Sequence, residues 1–269
     1  MFKTKIIDEQ FLHEYLDAYG FPATIKGEFV AISLDNLGEK QKELLINLAH
    51  LTLFEICRLH DKSGCSLELS HEYFLIKYEY LLYMILCEKI ENQDYNEYLL
   101  VAIDGNCCAG KTTLAKILGD FFEATVIHMD DYFLPKERYT EDLQDEIGGN
   151  IDINRLKEEV LDNDEVVINR FDCKTQTYHH EKTVAKKGVI VIEGTFSLLE
   201  AVSRHIDYAV ILTISSPDQK IRLIQRESGD MVEEFETKWL PQERKYLNLL
   251  DYAKVNFYIN SKNIDKETE

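Results

Sequence analysis

The rhythm of apolar positions changes near residue 97. Before it, Leu44, Leu45, Leu48, Leu51, Phe54 and Ile56 recur at close to helical spacing within 39–60. A denser apolar run follows over 71–92, with Tyr73, Phe74, Tyr78, Tyr80 and Tyr83, and the two are divided by the turn-like Asp61-Lys62-Ser63-Gly64. This pattern predicts two helices, the second more buried, with those aromatics in a core and His50 and His60 in packing or surface roles. Beyond 97, short unbroken apolar runs take over at Tyr98–Ile103, Ala124–His128, Val166–Asn169, Val189–Ile192, Tyr208–Ile214 and Val255–Ile259. Such runs suit strands buried on both faces. Helical periods lie between them, at 111–122, at Ile153–Asp162 with Asp152 as N-cap, and at Asp218–Glu227 and Val232–Asp251. Strands alternating with helices predict an α/β fold: a parallel sheet with helices on both faces. The expected organisation is a mainly helical N-terminal region (1–96), an α/β domain (97–260) and a polar C-terminal tail (261–269) that frays.

Composition narrows the function classes. Of 269 residues, 45% are hydrophobic, enough for a sizeable core. The net charge of −19 argues against non-specific binding to nucleic acid or to an anionic membrane. It also means that an anionic ligand must be met by a local cluster of cations and backbone N–H groups. The most apolar run, Phe74 to Cys87, is too short to span a bilayer and contains Lys77 and Glu79. No signal-peptide pattern follows Met1, so a cytoplasmic protein is expected. Cysteines 57, 65, 87, 107, 108 and 173 show neither a disulfide framework nor CxxC spacing and read as reduced thiols. A homo-oligomer is compatible with the sequence, which does not fix the oligomeric state.

The decisive stretch is Gly105-Asn106-Cys107-Cys108-Ala109-Gly110-Lys111-Thr112, followed by Thr113. It fits G-x-x-x-x-G-K-[ST], with a strand before it and a helix after it, as that motif requires. The fold class is therefore expected to be that of the P-loop NTPases. The glycines let the chain wrap so that N–H groups face phosphate oxygens, and the helix N-terminus adds its positive end. Lys111 is expected to reach the β- and γ-phosphates of ATP or another nucleoside triphosphate, and Thr112 to offer a hydroxyl to Mg²⁺. Cys107 and Cys108 read as small loop fillers.

Acidic residues then fall at predicted strand ends, where open α/β sheets bind ligands. Asp130 and Asp131 follow the strand ending at His128, and a carboxylate there can take the proton of an attacking hydroxyl. Glu193 ends the run Val189–Ile192 and suits Mg²⁺. In the helix after Ser216-Pro217-Asp218, Arg222 and Arg226 share a face that can close over a transferring phosphoryl group.

Together these residues resemble the uridine kinase family, with nicotinamide riboside kinase and phosphoribulokinase as cousins, over about 99–260. The resemblance rests on Ile103-Asp104-Gly105 leading into the phosphate loop, His128-Met129-Asp130-Asp131-Tyr132-Phe133, Val191-Ile192-Glu193-Gly194, the lid-like Asp218–Gly229, and Phe235 to Pro241. It implies Asp130 as base toward the acceptor hydroxyl, Glu193 as the Mg²⁺-associated acid, and Asp152 as a grip on ribose hydroxyls. It also implies an acceptor-recognition role around Arg170-Phe171-Asp172. There the chain departs from the family's Tyr-Asp-Phe start, so Arg170 is expected either to meet an anionic acceptor or to pair with Asp172. The implied activity is ATP- and Mg²⁺-dependent transfer of a phosphoryl group to a small-molecule hydroxyl, of uridine, cytidine or another riboside. A sugar-phosphate or vitamin-precursor kinase is one alternative. The other is an ATP-hydrolysing switch with the N-terminal region as partner-binding module; no N-K-x-D guanine motif is present.

Overall fold

The computed structural model describes residues 6–7, 23–26, 29–33, 73–144 and 146–261. Contacts divide the chain into two compact units, with a boundary at Gln93/Asp94. In the N-terminal unit the described residues form a three-stranded antiparallel sheet rather than helices alone. β2 (Ala23–Lys26), β3 (Phe29–Ser33) and β4 (Tyr73–Lys77) follow a two-residue strand, β1 (Ile6–Ile7), that joins the other sheet. Phe29 pairs with both Lys26 and Lys77, so β3 is the centre of the sheet. The expected helix over 71–92 is thus split: Tyr73–Lys77 is a strand, and the helix runs Tyr78–Glu91. Leu82, Tyr83, Ile85, Leu86 and Ile90 of that helix are buried. The helix expected over 39–60 lies outside the described residues.

The second unit is built on a six-stranded sheet. Its strands are β5 (Tyr98–Gly105), β6 (Thr125–His128), β9 (Gly188–Glu193), β10 (Tyr208–Ile214) and β11 (Phe257–Ser261), with β1 at the edge. A separate antiparallel hairpin is formed by β7 (Glu165–Asp172) and β8 (Thr177–Ala185). The sheet order is β1-β11-β10-β5-β9-β6, and the pairs from β11 to β6 are parallel. The strands are buried on both faces because apolar side chains occupy both parities. Leu100, Ile190 and Ile192 join a core with Leu156, Val160 and Tyr246, while Val101, Ile103 and Val191 on the opposite face are equally buried. Helix Lys111–Phe122 packs against β5, β6 and β9 through Leu114, Ala115 and Leu118.

Topology then locates the site. From β5 the chain crosses to β6, returns to β9, and passes to β10 on the other side of β5. The crevice outside the strand ends opens at such a reversal. Register aligns those ends: Glu193 pairs with both Ile103 and His128, and Gly194 N–H donates to Ile103 O (3.0 Å).

Two expected elements differ. Val166–Asn169 is extended as expected, but belongs to the hairpin and not to the parallel sheet. The long helix expected over 232–251 runs over 229–247 and contains a wide π turn, Phe235–Trp239, between Gly229–Glu234 and Leu240–Leu247, the backbone staying right-handed helical at both joints. Pro241 accounts for the widened turn, since proline has no N–H to donate to the preceding turn.

Candidate active site

β5 delivers the phosphate loop through Gly105, which has φ +128°. A Cβ there would lie 1.7 Å from Leu212 O, so only glycine lets β10 approach this closely. Asn106 continues the attachment: its N–H donates to Leu212 O (3.0 Å), and its Oδ1 accepts from Ile214 N–H (3.3 Å). The chain then turns through left-handed Cys108 (φ +63°) and Gly110 (φ +101°) into helix Lys111–Phe122. No side chain caps this helix, so its positive end and first-turn N–H groups remain for an anion. Lys111 is buried, and its ammonium donates to Gly105 O (2.9 Å), Asn106 O (2.8 Å) and Thr195 Oγ1 (3.2 Å). Thr113 is exposed on the first turn beside Thr112.

Thr112 and Glu193 converge, as β5–β9 pairing requires. Thr112 Oγ1 lies 3.3 Å from both carboxylate oxygens of Glu193. His128, at the end of β6, holds the same carboxylate through Nδ1 at 2.6 Å from Oε1, and this hydrogen bond raises its pKa. A hydroxyl and a buried carboxylate at the mouth of a phosphate loop fit Mg²⁺, which takes one or two protein oxygens and completes its shell with phosphates and water. The described residues contain no cluster of three or more His, Cys, Asp or Glu able to hold a metal by themselves.

Asp130 and Asp131 sit on a one-turn 3₁₀ helix, Met129–Tyr132, directly after β6. They do different work. Asp130 has no side-chain hydrogen bond to any described residue. Although much of its side chain meets solvent, its carboxyl is flanked by protein; the lost hydration and the Glu193 charge raise its pKa, against the pull of Lys111. Asp131 anchors the β7–β8 hairpin: Oδ2 accepts from Arg170 Nη1 (2.6 Å), and Oδ1 from Phe171 N–H (3.2 Å). Arg170 also pairs with Glu181 across the hairpin. The expectation that Arg170 pairs with Asp172 is therefore corrected. Asp172 instead caps its own turn, accepting from Lys174 N–H (2.8 Å) and Thr175 N–H (3.3 Å).

Asp152 is buried and caps the helix Ile153–Leu156, its Oδ1 accepting from Arg155 N–H (3.2 Å). Its Oδ2 pairs with Arg138 Nη1 at 2.6 Å, and its N–H donates to Tyr132 O (2.7 Å). Asp152 thus stands beside the Asp130 turn with both oxygens engaged. Arg155 lies between the rings of Tyr132 (4.4 Å) and Tyr178 (3.7 Å), bonds Asp131 O, and pairs with Glu159.

Helix Ser216–Arg226 brings Arg222 and Arg226 to the Cys107–Cys108 edge of the phosphate loop. Arg222 Nη1 donates to Cys108 O (3.1 Å); Arg226 Nη2 lies 3.3 Å from Cys107 Sγ, and its Nε pairs with Glu227 (2.7 Å).

Two further residues support the loop, and their roles were not assigned from the sequence. Glu243, from helix Leu240–Leu247, is buried and braces the loop. Its Oε2 accepts from Cys107 N–H (2.6 Å), and its Oε1 from Asn106 Nδ2 (2.9 Å) and Gln219 Nε2 (2.8 Å). Asp104 is fully buried, and its carboxylate accepts from Gly105 N–H (2.6 Å), Leu198 N–H (2.8 Å) and Tyr246 OH (2.5 Å). A charged residue inside an otherwise apolar strand was the available signal for Asp104; none existed for Glu243.

No family model matches this sequence, and no curated protein matches it. Solved structures do. A possible uridine kinase from Bacillus stearothermophilus shares 21% identity at a TM-score of 0.52, covering 66% of this chain and 97% of its own. A putative fructose transport system kinase from Silicibacter sp. TM1040 shares 19% identity at a TM-score of 0.53, covering 66% of this chain and 98% of its own. The second unit has the fold of the uridine kinase-like P-loop kinases. No helix among the described residues is long and apolar enough to cross a membrane.

Proposed function

We propose that the protein is an ATP-dependent, Mg²⁺-dependent kinase that transfers the γ-phosphoryl group to a hydroxyl of a small, uncharged acceptor of the riboside class, uridine or cytidine foremost. The observation that carries this reading is a convergence at neighbouring strand ends. A phosphate loop with its lysine, a hydroxyl–carboxylate pair and Asp130, a carboxylate with no hydrogen bond to a described residue, meet where β5, β6 and β9 terminate.

Lys111 and the loop N–H groups bind and orient the phosphates. Thr112 and Glu193 would hold Mg²⁺, which would supply neutralisation of phosphate charge. His128 keeps the Glu193 carboxylate in place. Asp130 accepts the proton of the acceptor hydroxyl, a role that suits its freedom from other partners and its raised pKa. Arg222 and Arg226 steady the phosphate-loop edge and neutralise charge that develops there.

Charge balance favours an uncharged acceptor over a sugar phosphate. Each arginine around the Asp130 turn is already ion-paired: Arg170 with Asp131 and Glu181, Arg138 with Asp152, and Arg155 with Glu159. An anionic acceptor would have to displace a carboxylate to reach Arg170 or Arg138, and Arg155 is largely buried between the Tyr132 and Tyr178 rings. Asp152 would serve ribose hydroxyls by exchanging the exposed Arg138 for the ligand.

The test is ADP formation from Mg-ATP across uridine, cytidine, nicotinamide riboside, other ribosides, pantothenate and ribulose 5-phosphate. Stimulation by a riboside, lost in Asp130→Asn, supports the proposal. Stimulation only by ribulose 5-phosphate overturns the uncharged-acceptor reading. Steady ADP release without any acceptor, equal in Asp130→Asn, sinks the kinase reading and favours an ATP-hydrolysing switch.

A further inference from the structure

The phosphate loop carries two adjacent thiols, and nothing in the phosphotransfer chemistry uses them. Cys107 Sγ and Cys108 Sγ lie 3.7 Å apart, in contact, and both residues are partly exposed. Three groups define this sulfur pair. The Arg226 guanidinium is 3.3 Å from Cys107 Sγ, the Lys111 ammonium adds positive field from the loop interior, and the Glu243 carboxylate opposes both from the Cys107 N–H side.

We propose that Cys107–Cys108 is an oxidative modification site, at which hydrogen peroxide converts the thiol pair into a reversible vicinal disulfide that switches off phosphate binding. The Cys107 thiolate attacks peroxide, its S–O bond forms as the O–O bond breaks, and hydroxide leaves. Cys108 then attacks the Cys107 sulfenic sulfur; an S–S bond forms, the proton of Cys108 and the hydroxyl leave as water, and two electrons have passed to the peroxide. Cys107 is the attacking residue because the Arg226 guanidinium, which stabilises a thiolate, stands 3.3 Å from its sulfur. The contact with the Cys108 sulfur, the Arg226 guanidinium at 3.3 Å and the Lys111 ammonium lower its pKa, while that of Cys108 is raised. The other described thiols are poorer nucleophiles: burial pushes Cys87 up to about 12 and also raises Cys173.

Closure explains both the loss of binding and its reversal. Bringing sulfurs from 3.7 Å to a bond of about 2 Å must rotate the Cys107–Cys108 backbone. That backbone is held by Glu243 at Cys107 N–H and by Arg222 at Cys108 O, and it sets the direction of the loop N–H groups. Adjacent residues have Cα atoms about 3.8 Å apart, shorter than ordinary disulfides span, so the bridge is strained and easily reduced.

The consequence for nucleotide rests on the kinase reading; the chemistry at sulfur does not, so they are measured separately. The full-length reduced protein is titrated with hydrogen peroxide at pH 7.5 and followed by intact mass and peptide mapping. Expected is a 2 Da loss confined to the Cys107–Cys108 peptide, formed before Cys87 or Cys173 is touched and reversed by dithiothreitol. Cys108→Ser should replace that product by a 32 Da gain at Cys107 that dithiothreitol cannot reverse. In parallel, Mg-ATP affinity of the wild type should fall at least tenfold on oxidation and return on reduction. Oxidation first at another cysteine, or a bridge from Cys107 to any residue but Cys108, overturns the proposal. So does a vicinal bridge that leaves Mg-ATP affinity unchanged. A reduced protein that never binds Mg-ATP, with the 2 Da loss still present, refutes the kinase reading and leaves the sulfur chemistry standing.

Discussion

Replacing Glu243 by Gln asks whether a buried carboxylate from the far end of the chain holds the phosphate loop in shape. The substitution keeps volume and removes charge and one acceptor. Glu243 accepts three hydrogen bonds, two of them at Oε1 from Asn106 and Gln219. In the variant, the amide oxygen can stay on Cys107 N–H, which turns the new NH₂ toward two other NH₂ groups. Relief requires those amides to flip, and flipping breaks Gln219 Nε2 to Cys107 O (3.1 Å) and Ile214 N–H to Asn106 Oδ1 (3.3 Å). All three hydrogen bonds lose their charged acceptor: bonds worth roughly 1.5–3 kcal/mol each are exchanged at best for neutral ones worth roughly 0.5–1.5 kcal/mol, an expected net loss of about 3–4.5 kcal/mol. At roughly 2–4 °C per kcal/mol, the melting temperature of the ligand-free protein should fall by about 6–18 °C. Mg-ATP affinity should fall by at least about tenfold, because 1.4 kcal/mol of lost loop order is already a factor of ten. An opposing effect exists: Glu243 repels the anion that the loop is meant to bind. Thermal unfolding without nucleotide, read beside calorimetric titration with Mg-ATP, separates the two. An unchanged melting temperature together with tighter binding would refute the bracing argument and leave Glu243 as a purely electrostatic element.

Asp130→Asn should lower phosphoryl transfer by about 10²–10⁴-fold while Mg-ATP affinity stays within threefold, measured by single-turnover kinetics and titration. Because lost hydration at its carboxyl and the Glu193 charge raise the Asp130 pKa, its ionised form is disfavoured in the folded state. That penalty is present above the raised pKa and relieved below the ordinary aspartate value. The wild-type rate should therefore fall with acid at a higher pH than a free aspartate would give, and Asp130→Asn should be slightly stabilised at pH 7; a profile flat down to pH 4 contradicts the base role. Gly105→Ala puts a Cβ 1.7 Å from Leu212 O, so little folded protein should be recovered, as read by circular dichroism. Asp131→Ala releases Arg170 and Phe171 N–H from the Met129–Tyr132 turn and, on the proposed function, should raise the acceptor KM with little effect on the KM for ATP. Asp152→Asn retains an oxygen for Arg155 N–H but loses the charge that pairs with Arg138. A riboside KM raised tenfold or more supports an acceptor role, and an unchanged KM leaves Asp152 a helix cap.

Local pattern carried far in this chain. Tyr208–Ile214 and 111–122 were legible to the residue, because an unbroken apolar run and a 3.6 period are properties of consecutive positions. The phosphate loop was legible for the same reason: its chemistry is packed into successive residues. Where burial does not accompany an element, pattern fails. Thr177–Ala185 is a strand with no apolar alternation, held by pairing to β7 and exposed along most of its length. Tyr73–Lys77 continues an apolar run into a helix, and composition alone does not mark the change.

The sequence by itself determined the parallel α/β architecture, the phosphate loop and the positions of Asp130 and Glu193 at strand ends. Only the tertiary structure decided what each acid pairs with. It separated Asp130, with no side-chain hydrogen bond among the described residues, from its neighbour Asp131, committed to a hairpin 39 residues away. It turned Asp152 toward Arg138, moved Arg170 from Asp172 to Asp131 and Glu181, and brought Glu243 onto a loop 136 residues earlier. The physical reason is that periodicity reports which face of an element is buried. A carboxylate's partner depends on which elements the sheet order makes neighbours, and that information is shared between distant segments.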